Sequence, residues 1–184
     1  MIKKLFPVLV LLGALSMMAC EPSNPFNTGP VYDEAGNLKA DSLKIVAYLD
    51  TAQIDSIARI YDPSGVVIIL QEEGVGSRPT TGTMVYTDYT GSLITDGSVF
   101  DTSIESIARE NDLYVEGRSY LPLRFGLNVG NVITGWHIAF KRLRPGSKAV
   151  LLIPSPWAYR DQVNNARIPA NSVLRFDVDF LGID

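Results

Sequence analysis

The chain has one histidine and one cysteine among its 184 residues, so few reacting centres can be built from its ionisable groups. His137 cannot hold a metal ion alone. No serine or threonine can be given a histidine base except through it, and the single cysteine, Cys20, stands at the end of an apolar leader. Gly74-Val75-Gly76 follows a strand-like run, but Arg78-Pro79-Thr80 supplies neither a third glycine nor a helix start, so a dinucleotide site is excluded. Asp177 and Asp179 point to one side of a strand and, like Glu72 and Glu73, read as solvated charge. What remains is aromatic: Tyr89, Phe100, Phe125, Trp136, Trp157, Tyr159 and Phe176 are spread over different segments of one small chain, the pattern of a packed core.

The elements that carry these rings can be read from periodicity. In "NVITGWHIAFKRLRPG" the residues Val132, Ile133, Trp136, Ala139 or Phe140, and Leu143 share one face, while Lys141, Arg142 and Arg144 fall elsewhere. This is a single amphipathic helix stopped by Pro145 and Gly146. "VVIILQEE" from Val66, "TMVYTDYTGSLI" from Thr83 and "SKAVLLIP" from Ser147 read as strands. Leu174, Phe176, Val178 and Phe180 alternate with Arg175, Asp177 and Asp179, the period of a strand with one face in water. A mostly antiparallel sheet covered by one helix gives two layers and an α+β domain. From Ala40 to Ile60 the apolar steps of three and four predict one or two short helices, with Asp41 and Asp55 placed as caps.

The N-terminal residues have a different composition. Lys3 and Lys4 precede the apolar run Leu5 to Leu15, and Ala19 stands before Cys20, the pattern of a signal peptide too short to span a bilayer comfortably. The placement of Cys20 resembles the lipobox of bacterial lipoproteins, in which the thiol is acylated, although Met17 departs from the commonest aliphatic choice. Acyl chains would anchor the protein at about 0.8 kcal/mol per buried methylene. The expected organisation is a leader at 1–19, a tether at 20–39 starting from acylated Cys20, a helical appendage at 40–62 and a folded domain at 65–184. Loss of Lys3 and Lys4 would take the net charge from −4 to −6, which argues against a nucleic-acid partner.

Three stretches, in order, resemble the FKBP-type peptidyl-prolyl cis/trans isomerases: "YTGSLITDGSVFDTS", "FGLNVGNVITGWHIAFKRLRPGSKAVLLIPSPWAYR" and "RIPANSVLRFDVDFLGI". They carry Tyr-Thr-Gly, Asp-Gly with Phe-Asp, Val-Ile-x-Gly-Trp, Ile-Pro with Ala-Tyr, and a last Ile-Pro before a Phe-bearing strand. The resemblance implies a twisted antiparallel sheet wrapped around one short helix, with an apolar pocket between them, and an enzyme that needs no cofactor and no metal. It places Trp136 at the pocket floor, with Tyr89, Phe100, Tyr159 and Phe176 completing the catalytic aromatic set and Asp101 as the polar member near the mouth. Val132, Ile133 and Ile168 are implied as further walls. Phe125 and Leu123 fall on the strand leading to the helix, Leu123 where an aromatic is commoner. An X-Pro bond turns over a barrier of about 18–20 kcal/mol set by amide resonance, with no proton to move, which explains why few ionisable groups are needed.

The same resemblance has departures. "TSIESIARENDLYVEGRSYL" after Asp101 is longer than the usual connection, and Arg109 or Arg118 could replace the basic residue that normally approaches the aspartate. The family's Ala-Tyr-Gly reads Ala158-Tyr159-Arg160, and "RDQVNNAR" lacks a glycine-rich flap. Two functions therefore stay open, an isomerase acting on proline-containing segments of exported proteins and a non-catalytic module or chaperone that binds such segments, with a structural envelope lipoprotein whose slot is vestigial as a third. The leader implies a lipid-anchored protein of the bacterial envelope, with the outer membrane as the expected site. The helices at 40–60 resemble appendages by which some isomerase lipoproteins dimerise or present the domain, and their short length equally predicts packing on the domain itself.

Overall fold

The computed structural model describes residues 31–162 and 166–184. Cys20, its leader and most of the segment read as a tether lie outside the described residues. Seven strands form one antiparallel sheet: β1 Ala58–Tyr61, β2 Val67–Glu72, β3 Met84–Leu93, β4 Val99–Thr102, β5 Leu123–Gly126, β6 Lys148–Ile153 and β7 Leu174–Ile183. Their order is β1-β2-β6-β7-β3-β4, with β5 also paired to β3. The long strands β3 and β7 pair along nearly their full length, from Val85 opposite Ile183 to Leu93 opposite Leu174.

The continuous apolar runs in β2 and β6 are explained by burial on both faces. Ile68, Leu70, Ala149, Leu151 and Ile153 join the main core, whereas Val67, Ile69, Val150 and Leu152 form a second core with Ile45 and Val173. Helix α1, Glu34–Thr51, covers that second face. The expected two layers are therefore three at the centre of the sheet.

The N-terminal helix also corrects the boundaries expected from sequence. It starts within the segment read as a tether, because the Asp33 carboxylate caps it by accepting the Gly36 N–H at 2.9 Å. Asp41 is no cap: it lies inside the helix and is fully buried. Residues 58–61, included in the expected helical appendage, form β1 by pairing with Val67–Leu70, so cross-strand hydrogen bonding overrides the local period. A short helix, α2 Glu105–Glu110, occupies the long connection after β4.

On the concave face sits α3, Thr134–Phe140, one turn shorter at its C-terminal end than the periodicity suggests. Leu143 lies beyond it in a turn yet remains buried. Gly135 is what lets α3 lie directly on β6: a Cβ there would stand 2.3 Å from Ile153 Cγ2. Gly135→Ala is expected to lower stability by about 1–3 kcal/mol through overpacking, measurable as a lower urea midpoint with an unchanged m-value.

Candidate active site

Between α3, β3, β4, β5 and β7 opens a cleft of about 380 Å³. Its construction begins at one register line of the sheet, where Gly91 of β3 faces Asp101 of β4 on one side and Phe176 of β7 on the other. Gly91 has no side chain, so the Phe100 and Phe176 rings close over its backbone; a Cβ would be 2.6 Å from Phe100 Cε2 and 2.8 Å from Phe176 Cε1. The two rings meet edge to face at 5.6 Å.

Trp136, in the first turn of α3, forms the cleft floor and is 3% exposed. Edge-to-face neighbours hold the indole: Phe176 at 5.2 Å, Tyr89 at 5.3 Å and Phe125 at 5.6 Å between centroids. Each such pair is worth about 0.5–1.5 kcal/mol beyond the area it buries. Among the described residues Trp136 Nε1 has no hydrogen-bond partner, which leaves one unpaired donor in an otherwise aromatic floor. Leu123, Val132, Ile133 and Tyr159 complete the walls together with Asn131, which sequence reasoning missed. Its position beside Val132, immediately before the helix, was the available signal.

Two of the residues singled out from the sequence, the strand residue Phe125 and the expected wall Ile168, lie outside the cleft lining. Phe125 packs behind the floor against Trp136 and Phe140, and Ile168 is buried in the core without lining the cleft. Both sit at positions where the next layer of packing begins, a distinction that motif order cannot make.

The polar edge is organised around Asp101. Its Oδ2 accepts the Tyr89 hydroxyl at 2.5 Å, and its Oδ1 accepts from Arg118 Nη2 at 3.0 Å and from the Thr102 N–H at 2.9 Å. The lengthened connection thus delivers Arg118, and not Arg109, to the aspartate. Arg109 pairs with Glu105 at 2.7 Å and lies 3.4 Å over the Tyr114 ring. Burial, then the bond to Asp101, pushes the Tyr89 phenol far above its ordinary range. Burial and the Asp101 charge also raise Tyr159. Both phenols therefore keep their protons at neutral pH. At Arg160, where the resemblance has glycine, the backbone keeps the left-handed conformation, with φ at 57°.

His137 has a structural role that its place on the helix did not reveal. Its Nδ1 accepts the Asn128 N–H at 3.0 Å and its Nε2 lies 3.3 Å from Gly130 O, so the neutral ring with a proton on Nε2 satisfies both partners. The imidazole fastens the turn that leads to Asn131, Val132 and Ile133 onto α3.

These features define a class: a small α+β domain in which a twisted antiparallel sheet encloses an aromatic slot with one pinned carboxylate at its edge. The family model for FKBP-type peptidyl-prolyl cis-trans isomerase matches residues 76–181. FK506-binding protein 1 of Saccharomyces cerevisiae is 36% identical over 106 residues, covering 58% of this chain and 81% of that protein. FkpA of Aeromonas hydrophila, an FKBP-type peptidyl-prolyl cis-trans isomerase, is 36% identical over 121 residues, covering 66% of this chain and 39% of that protein. The crystal structure of FkpA from Escherichia coli superposes with a TM-score of 0.60 at 29% identity, over 82% of this chain and 61% of that one. A peptidyl-prolyl cis-trans isomerase structure from Pseudomonas syringae shares the fold, with a TM-score of 0.60 at 24% identity over 85% of this chain and 99% of that one. The chain belongs to the FKBP-type peptidyl-prolyl cis-trans isomerases.

Burial holds the folded-state pKa of His137 below the ordinary 6.5. The unfolded chain therefore takes up the proton first, and stability present above about pH 6.5 is lost as pH falls through the folded-state value. Denaturant midpoints are expected to drop from pH 7.5 to pH 5, with a smaller drop in His137→Gln. As the chain has one histidine, a single imidazole resonance reports the titration, and a value above 6.5 would contradict the depression.

Proposed function

We propose that the cleft is the isomerase site, that it takes X-Pro segments of exported proteins, and that acylated Cys20 tethers the enzyme in the bacterial envelope, at the outer membrane. The observation that carries the catalytic reading is the combination of an apolar aromatic floor with phenols that stay protonated beside a pinned carboxylate. No acid, base or nucleophile is required, because the reaction rotates a bond without breaking one.

A proline ring entering the slot gains about 0.8 kcal/mol for each methylene buried against Trp136, Phe176 and Phe100. That gain is the same for planar and twisted amides, so it supplies affinity and no rate. Rate comes from what differs between them. Removing the amide from water disfavours its charge-separated resonance form, which only the planar amide uses fully. The Tyr159 hydroxyl can donate to a carbonyl of the flanking backbone and hold the turn in which the twist is reached. Asp101 keeps Tyr89 in place and shapes the mouth. Every tenfold of acceleration requires about 1.4 kcal/mol of preference for the twisted form.

The rebuilt rim, with α2 after β4 and Arg160 in place of glycine, favours a second reading: a module that binds proline-containing segments and leaves their isomers in slow exchange. NMR exchange spectroscopy of a short X-Pro peptide separates the two. Catalysis predicts faster cis–trans exchange, a loss of tenfold or more in kcat/KM for Trp136→Leu and for Phe176→Ala, and a loss of only a few-fold for Asp101→Asn, with amide spectra confirming folded variants. Peptide binding at the uncatalysed exchange rate would establish the second reading. Full activity in a folded Trp136→Leu, Phe176→Ala double variant would exclude the cleft as the catalytic site.

A further inference from the structure

Tyr159 is a wall of the cleft that no strand carries; it belongs to the connection between β6 and β7. The backbone on both sides of it is unusual. Ala158 has φ −112° and ψ −116°, outside the common basins, and Arg160 has φ 57°. Such conformations persist only where the surroundings enforce them.

The enforcement comes from α1, on the far face of the sheet. Asp41 is buried in the middle of that helix, a poor place for aspartate by propensity and by desolvation. Its Oδ2 accepts the Ser155 backbone N–H at 2.8 Å and its Oδ1 accepts from Lys44 Nζ at 2.7 Å. Ser155 O in turn accepts the Ala158 and Arg160 N–H groups, at 3.0 and 2.9 Å, closing the turn that contains Tyr159. Tyr32 Oη meets Ser155 Oγ at 3.2 Å. Lys44 Nζ also donates to Asn171 O at 3.2 Å, and the Asn171 N–H donates to Arg160 O at 2.7 Å, so both ends of the connection are fastened to one helix.

We infer that α1 is part of the substrate site, with Asp41 as the positioning residue that fixes the Ser155–Arg160 turn and thereby sets Tyr159 in the cleft. This rests on the cleft being the proline-binding site. The helix next to the proposed tether is then a working component of the enzyme, and isomerase activity depends on its contacts.

A double-mutant cycle on the full-length chain tests this. Asp41→Ala is expected to raise KM five- to tenfold with kcat within twofold, and Asp41→Asn, which keeps an acceptor for Ser155, is expected to recover most of the loss. In a Tyr159→Ala background Asp41→Ala should cost nothing further. The Tyr159 phenol gives a readout independent of activity: burial and Asp101 hold its titration above 10, and Asp41→Ala should return it towards that value while Asp41→Asn leaves it raised. If Asp41→Ala does not fold, Tyr32→Phe with Lys44→Ala must show the same KM signature at two- to threefold, again abolished by Tyr159→Ala. Additive losses in the Tyr159→Ala background, or an unmoved Tyr159 titration in the folded variant, overturn the inference. If the wild type leaves X-Pro exchange at its uncatalysed rate, it is the isomerase reading that fails, and the phenol titration alone decides the role of Asp41.

Discussion

A seven-residue helix does not hold itself together in water, and the rest of the domain follows from the need to support α3. Its stability must come from one buried face, so the sheet has to curve around it and the two must approach closely. Gly135 permits that approach on β6, and Gly91 permits the Phe100 and Phe176 rings to fold over β3. Trp136 then fills the space under the N-terminal end of the helix, gripped by three aromatic edges at 5.2–5.6 Å. The cleft is the part of the concave face that Trp136 floors without filling. The same packing that makes the short helix stable makes the slot rigid and apolar, which is what preferential binding of a twisted amide requires.

Polar groups are few and they act as fasteners. Asp101 ties Tyr89 on β3 to Arg118 from the lengthened connection, spanning the cleft edge with two bonds of 2.5 and 3.0 Å. The Arg118 pair is well exposed, with both side chains at 40%, so its net contribution to stability is small. Its effect is geometric. From the other face of the sheet the buried Asp41 fastens the Tyr159 turn, and beside the helix His137 fastens the turn before Asn131. Three loops that no strand could orient are therefore held by side-chain hydrogen bonds.

Much of this was legible in the sequence, and the limits have physical causes. Strand β7 and the helix at Trp136 have strong periodicity, β2, β3 and β6 are marked by β-branched, aromatic or continuous apolar runs, and the cleft gathers nine of the residues singled out for it, including Trp136, Tyr89, Asp101 and Phe176. Phe125 and Ile168 fall outside the cleft lining, and motif order does not distinguish a wall from the layer behind it. Strand β1 was hidden inside a helical period, since four residues paired to β2 owe their conformation to the partner. The helix start at Glu34 was hidden by Pro, Gly and Asn on either side of its cap, and the role of Asp41 by its suitability as a helix cap. Arg118 could not be chosen over Arg109 until the path of the connection was known.

The most direct test of the account is the indole N–H resonance of Trp136 during titration with an X-Pro peptide, read beside that of Trp157, whose Nε1 donates to Ser64 O at 2.7 Å away from the cleft lining. If the cleft binds proline against the buried indole, the Trp136 signal moves saturably, Trp157 moves far less, and a peptide with alanine in place of proline moves neither. An unmoved Trp136 signal under conditions where the same peptide is isomerised faster would contradict the account, because catalysis would then lie outside the slot that the whole fold is arranged to form.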